Sequence, residues 1–163
     1  MRMLDPRSIA KKAVLGAALL VLSACATGPA RRVSEPAARV QQLTVQADGQ
    51  WTVELRLENF SSVPMRFDSL DLAVRFGGAE SGRLTAGPAL TIGPESADTY
   101  TVTVTPASAG KLAAADALAS GRSVDYVLAG TLLATPDKGR QRTYRIDRSS
   151  ALSPAPGLPG VLR

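Results

Sequence analysis

The chain has 163 residues, 19 basic and 14 acidic side chains, one cysteine and no histidine. Without histidine there are no Ser-His-Asp triads, no imidazole acid/base catalysis and few routes to a zinc site. A formal charge of +5 and a pI near 9.9 would ordinarily point to nucleic acid, but beyond the first 24 residues the basic residues are scattered along the chain, with no run beyond Arg31-Arg32, so no nucleic-acid partner is expected.

Four of those basic residues, Arg2, Arg7, Lys11 and Lys12, precede an apolar run of ten residues at 13–22. Such a layout is that of a secretory signal, and the run is too short to span a bilayer as a finished helix. It leads into Leu22-Ser23-Ala24-Cys25. This tetrapeptide resembles the lipobox of bacterial lipoproteins. The resemblance implies a diacylglycerol on the Cys25 thiol, cleavage after Ala24 and an acyl chain on the new amino group. A buried or free thiol is the plainer alternative, but the flanking sequence offers no core in which to bury it. Residue 26 is Ala, not Asp, which by the same resemblance implies lipid anchorage in the outer membrane, with the domain facing the periplasm. Removing residues 1–24 takes away four basic groups and Asp5, leaving 15 basic and 13 acidic, a net charge of +2.

Residues 25–38 comprise the cysteine and a small, Pro-containing linker with no periodicity. Thirteen flexible residues reach roughly 20 Å. Residues 39–148 then form one domain dominated by a period of two. A first strand at 40–47 is followed by the turn pair Asp48-Gly49. Trp51, Val53, Leu55 and Leu57 alternate with Thr52, Glu54, Arg56 and Glu58. Leu70, Leu72, Val74 and Phe76 repeat the pattern, as do Tyr100, Val102 and Val104 among threonines. Val124, Tyr126, Leu128, Gly130 and Leu132 follow, and Tyr144 with Ile146 closes the series. About seven short strands with Gly/Pro turns at this spacing predict an all-β fold, an immunoglobulin/fibronectin-III-like antiparallel sandwich.

One segment departs from that rhythm. Residues 111–120 are rich in Ala and Leu, with Ser108 as an expected N-cap and Gly121 as a stop, which predicts a short crossover helix. The stretch 149–163, with Pro154, Pro156 and Pro159, is expected to be an extended or poorly ordered tail.

The order of these elements resembles the late-embryogenesis-abundant type 2 family, also called WHy-domain or LEA14-like proteins. The resemblance runs from the strand leading into Asn59, through 68–76 ending in Gly77-Gly78, to Ile92-Gly93-Pro94 and Ser96. It covers about 40–146 and is completed by the predicted helix and by Val124-Asp125-Tyr126-Val127-Leu128-Ala129-Gly130-Thr131-Leu132, similar to the family's tyrosine–apolar–glycine–apolar strand. The family's Asn-Pro-Asn at the end of the second strand is here Asn59-Phe60-Ser61, so one Asn is kept. Membership implies a non-enzymatic role in stress or desiccation tolerance, exercised through surface contacts with membrane or proteins.

Few residues invite a chemical role. Asp68 with Asp71, or Glu54 with Glu58, would be the carboxylate pairs of a glycosidase, but strand alternation places Glu54 and Glu58 on a solvated face. Asp137-Lys138-Gly139 reads as a turn with a single carboxylate, not a metal loop. Asn59 is either a binding-surface residue or the cap of the turn after its strand, the role Asn commonly takes. Trp51 is expected in the core or as a cap on the sandwich edge rather than as a ligand-stacking platform, and Tyr126 is expected to make a corner hydrogen bond. The expected function is thus a non-enzymatic, lipid-anchored envelope protein with no catalytic residue, metal, cofactor or small-molecule substrate. The alternative is an adaptor lipoprotein that binds a specific envelope protein.

Overall fold

A computed structural model describes residues 31–163, and the compact unit within it runs from Arg32 to Arg163. The predicted signal, Leu22, Ser23, Ala24 and Cys25 lie outside the described residues. Nine strands and one helix make up the unit: β1 Ala37–Val45, β2 Trp51–Asn59, β3 Met65–Phe76, β4 Ala79–Ala86, β5 Leu90–Ile92, β6 Ser96–Val104, α1 Ser108–Ser120, β7 Val124–Pro136, β8 Arg142–Leu152 and β9 Val161–Leu162. They form two antiparallel sheets, ordered β6-β2-β1-β9 and β4-β3-β7-β8, with β5 sharing an edge of β3 with β4. The all-β sandwich with a single crossover helix read from the sequence is the observed architecture.

The period-two runs become the facing layers. Trp51, Val53, Leu55 and Leu57 of β2 are all at most 1% exposed, while the intervening Thr52, Glu54, Arg56 and Glu58 stay half-buried on the outer face. Burial of four such side chains contributes about 6–12 kcal/mol before the entropy of ordering is subtracted. Across the core, Leu70, Leu72, Val74 and Phe76 of β3 meet them. Trp51 contacts Phe76 edge-on at 5.3 Å between centroids, and Phe76 leans on Tyr126 at 5.9 Å. Such aromatic pairs add about 0.5–1.5 kcal/mol each beyond area burial.

The turns follow from local chemistry. Asp48 Oδ1 accepts from the Gln50 amide and Gly49 closes a turn onto Gln46, joining β1 to β2. Gly77 and Gly78, with φ of 56° and 81°, form the two-residue loop between Phe76 and Ala79, where the positive φ of both residues suits glycine.

Tertiary contacts adjust three of the expectations. Ser108 is the first helical residue and not the cap. Ala107 takes the cap position without a side-chain bond, its amide tied to the Ser81 carbonyl at 2.9 Å. The linker expected to end at residue 38 is docked well before that. The Arg32 amide donates to Ser62 Oγ and the Ser34 amide to Ser61 Oγ, Pro36 is buried, and β1 begins at Ala37. The tail expected from 149 onward belongs to the domain. β8 continues to Leu152, and β9 pairs with β1 through Leu43–Leu162 and Thr44–Val161. Leu152, Val161 and Leu162 are at most 8% exposed, so these three apolar groups hold the segment despite its prolines. Among the described residues no helix is long and apolar enough to cross a membrane.

Candidate functional site

Asn59 ends β2 with its side chain 1% exposed. Its Nδ2 lies 2.9, 3.1 and 2.8 Å from the carbonyls of Val63, Ile92 and Gly93, and its Oδ1 accepts from the Ser61 amide at 2.9 Å. One amide thereby fastens the β2–β3 turn to the β5–β6 connection, a segment more than thirty residues away. Ser61 extends the network, because its Oγ meets the Ser34 amide and carbonyl. The group is fully engaged and faces inward, so its chemistry is that of a structural tie between two loops.

Tyr126 makes the corner bond expected of it. The Val40 amide donates to its oxygen at 3.2 Å, and its hydroxyl reaches the Val40 carbonyl at 3.4 Å. This links β7 in one sheet to β1 in the other. Burial pushes the Tyr126 hydroxyl above the ordinary tyrosine value of 10.0, against the opposing pull of its bond with Val40. The unfolded chain therefore ionises first as pH rises, and the stability associated with the neutral hydroxyl, complete below pH 10, declines as pH climbs toward the folded value. Chemical denaturation at stepped pH should show this loss above pH 10, and Tyr126→Phe should show a smaller one. An equal alkaline loss in both proteins would remove Tyr126 as its cause.

The carboxylates considered as catalytic pairs are each occupied. Asp71 receives Arg83 through Nε and Nη2 at 2.5 and 2.6 Å, which holds its carboxyl below the usual range. Asp68 accepts from Thr135 and Gln141 and lies 3.4 Å from Arg66. Glu54 takes a bond from Gln41, and Glu58 lies between Arg56 and Arg39. All four sit on outer sheet faces as partners of neighbouring strands, so the alternation rule placed Glu54 and Glu58 on the side where they are found.

Concave surface is found at both poles, with a hollow of about 270 Å³ beside the β7–β8 turn and a wider one at the pole bearing the helix. An open trough of about 680 Å³ runs between α1 and the C-terminal segment, lined by Ala115, Leu118, Ala119 and Leu158 together with prolines and glycines. A smaller hollow of about 230 Å³ lies beside it, formed by Val45, Trp51, Leu118 and Lys111. Leu112 and Leu158 stand exposed nearby. Sequence reading gave no hint of this trough, because the residues of its far wall belong to the segment taken for a free tail. Among the described residues, no three His, Cys, Asp or Glu side chains converge on a common point.

Several solved structures are similar to the chain. A crystal structure of a protein from Archaeoglobus fulgidus is 14% identical, with 76% of this chain and 98% of that one covered and a TM-score of 0.43. A crystal structure of a Bordetella pertussis protein is 12% identical, covering 80% and 100%, at 0.46. A solution structure from Arabidopsis thaliana is 17% identical, covering 77% and 80%, at 0.44. No curated protein matches the chain in sequence. Residues 54–149, well over half of the chain, match the family model described as Late embryogenesis abundant protein. This match spans Asn59, the Ile92-Gly93 segment it holds and the Tyr126–Leu132 strand, so the chain belongs to the late embryogenesis abundant (LEA_2) family.

Proposed function

We propose that the protein is a lipid-anchored, non-enzymatic member of this family that protects the bacterial envelope during drying or osmotic stress through contacts made by its folded surface. The family match over 54–149 carries the reading. The anchor is drawn from the sequence Leu22-Ser23-Ala24-Cys25 behind its apolar run, with diacylglycerol on the Cys25 thiol and an acyl chain on its amino group. Three acyl chains hold a protein in a bilayer effectively permanently, at about 0.8 kcal/mol per buried CH₂. Delivery to the outer membrane, with the domain in the periplasm, follows from Ala26.

The test compares wild type, a Cys25→Ser variant and a gene deletion. The variant should be processed poorly and leave the membrane fraction, and both altered strains should survive drying and osmotic shock less well than wild type. Normal cleavage and retention of the Cys25→Ser protein in the outer membrane would end the anchor. Unchanged survival of the deletion strain under both stresses would end the protective role.

A further inference from the structure

Five basic residues fall within eleven consecutive positions, and the fold sets them along one turn and strand. Lys138, Arg140, Arg142, Arg145 and Arg148 lie on the β7–β8 turn and along β8, and all five are exposed. Among the described residues β8 pairs with β7 on one side only, so this is a free edge of the second sheet. Alternation sends Arg142 and Arg148, opposite Ala134 and Leu128, toward the inner face, and Arg145, opposite Thr131, toward the outer one. The cations therefore flank the edge from both sides.

Two further observations distinguish this comb from ordinary surface charge. Six of the other ten basic residues among the described ones are in ion pairs: Arg32, Arg39, Arg56, Arg66, Arg83 and Arg122. None of the five is in such a pair. The same stretch carries only Asp137 and Asp147, so 5 − 2 gives +3 for residues 137–148. The described chain totals +2, and everything else in it sums to −1.

The comb also begins where the chain enters the domain. Met65 pairs with both Ile92 and Pro136, and Asn59 binds Ile92, so the 137–141 turn shares a pole with Asn59. Arg32 reaches that pole through Ser62 and Glu95. The acidic groups there are largely engaged, Glu95 by Arg32, Asp68 by Arg66 and Glu58 by Arg39 and Arg56, while Glu35 and Asp98 add exposed charge.

Charged residues on an edge commonly serve to repel strand addition, and a single lysine or arginine suffices for that. Five unpaired cations along about 20 Å of strand and its turn exceed the need. The edge also lacks what a protein partner would seat on, since the exposed residues between the cations are Gly139, Gln141, Thr143 and Asp147, and Ser149, Ser150 and Ala151 follow them, with no aromatic or large aliphatic anchor. An extended array of phosphates asks only for charge and reach.

We infer that the β8 edge and the β7–β8 turn form a docking comb for anionic phospholipid headgroups. It lays the tethered domain edge-down on the bilayer. This rests on the membrane anchorage proposed above and adds an orientation to it. Each lysine or arginine near an anionic surface is worth about fivefold in partitioning, and the attraction fades within a Debye length of about 8 Å at physiological salt.

The test reconstitutes the full lipidated chain into phosphatidylethanolamine vesicles with and without phosphatidylglycerol and follows backbone amide exchange. Amides of residues 138–148 should exchange at least about tenfold more slowly on the anionic vesicles. That protection should vanish in high salt and in the Arg140→Gln/Arg142→Gln/Arg145→Gln/Arg148→Gln variant, whose substitutions are all exposed and leave the core untouched. It should persist in Arg75→Gln, which removes a cation elsewhere. Equal exchange on both vesicles, with the chain attached to both, overturns the comb and leaves the anchor standing. A chain that leaves both vesicles overturns the anchor itself. Protection seen only in native envelope membranes, and never in pure lipid, replaces the phospholipid with a protein partner and overturns the inference.

Discussion

Asn59→Ala should destabilise the domain by about 3 kcal/mol or more, with a midpoint of thermal unfolding roughly 10 °C lower. Three carbonyls and the Ser61 amide lose their shared partner in a site from which water is excluded. Each buried polar group left unmade costs about 1–3 kcal/mol. Asn59→Asp separates hydrogen bonding from shape. Its carboxylate keeps the acceptor for Ser61 but points a second oxygen at the Val63, Ile92 and Gly93 carbonyls. At neutral pH it should be at least as damaging as alanine. Acid should narrow its deficit, because the protonated form regains a donor and this buried carboxyl takes up its proton above the unfolded value. Thermal scans at neutral and acid pH read both effects. A change of less than 2 °C for alanine, by the scale of about 3–5 °C per kcal/mol, would mean that the Asn59 network is not holding the loops.

Gly130→Ala is expected to cost about 3 kcal/mol or more, or to prevent folding. Gly130 lies in the middle of β7, between Leu72 of β3 and Ile146 of β8. A Cβ built there runs into the Asp71 carbonyl oxygen, with the Leu72 Cα only 3.0 Å away. Both obstacles are backbone of a central strand, which cannot move aside without disturbing its hydrogen bonds. Thr131→Ala, next door and facing solvent, should change stability by less than about 1 kcal/mol. Urea titration of the two variants makes the comparison, and an alanine at 130 as benign as one at 131 would contradict the tight β3–β7 approach. The glycine in the tyrosine–apolar–glycine–apolar motif thus has a steric cause.

What the sequence reveals of this fold is what repeats locally. Trp51 to Leu57 and Leu70 to Phe76 announce their strands because each second residue needs the same face. The Asn59 turn is legible for the same reason, since its bond to Ser61 spans two residues. Its bonds to Ile92 and Gly93 leave no mark in the neighbouring sequence, although both segments stand out as motifs. The C-terminal segment fails the other way. Three prolines proclaim a break, while the forces that fold it come from Leu152, Val161 and Leu162, too widely spaced to form a period. The basic comb is harder to read, because Lys138 to Arg148 are interspersed with uncharged and acidic residues, and nothing in that stretch tells that β8 is an edge strand with one neighbour.

The pairing of β9 with β1 has a temporal side. Leu43 waits for Leu162, and β2 waits for β6 across the whole of the second sheet's first half. The hairpins β1–β2, β3–β4 and β7–β8 can zip as soon as they emerge, whereas the first sheet cannot be finished until residue 162 arrives. Contacts of such long sequence separation make for slow folding. During synthesis the chain therefore passes through a long interval in which both sheets are only partly formed.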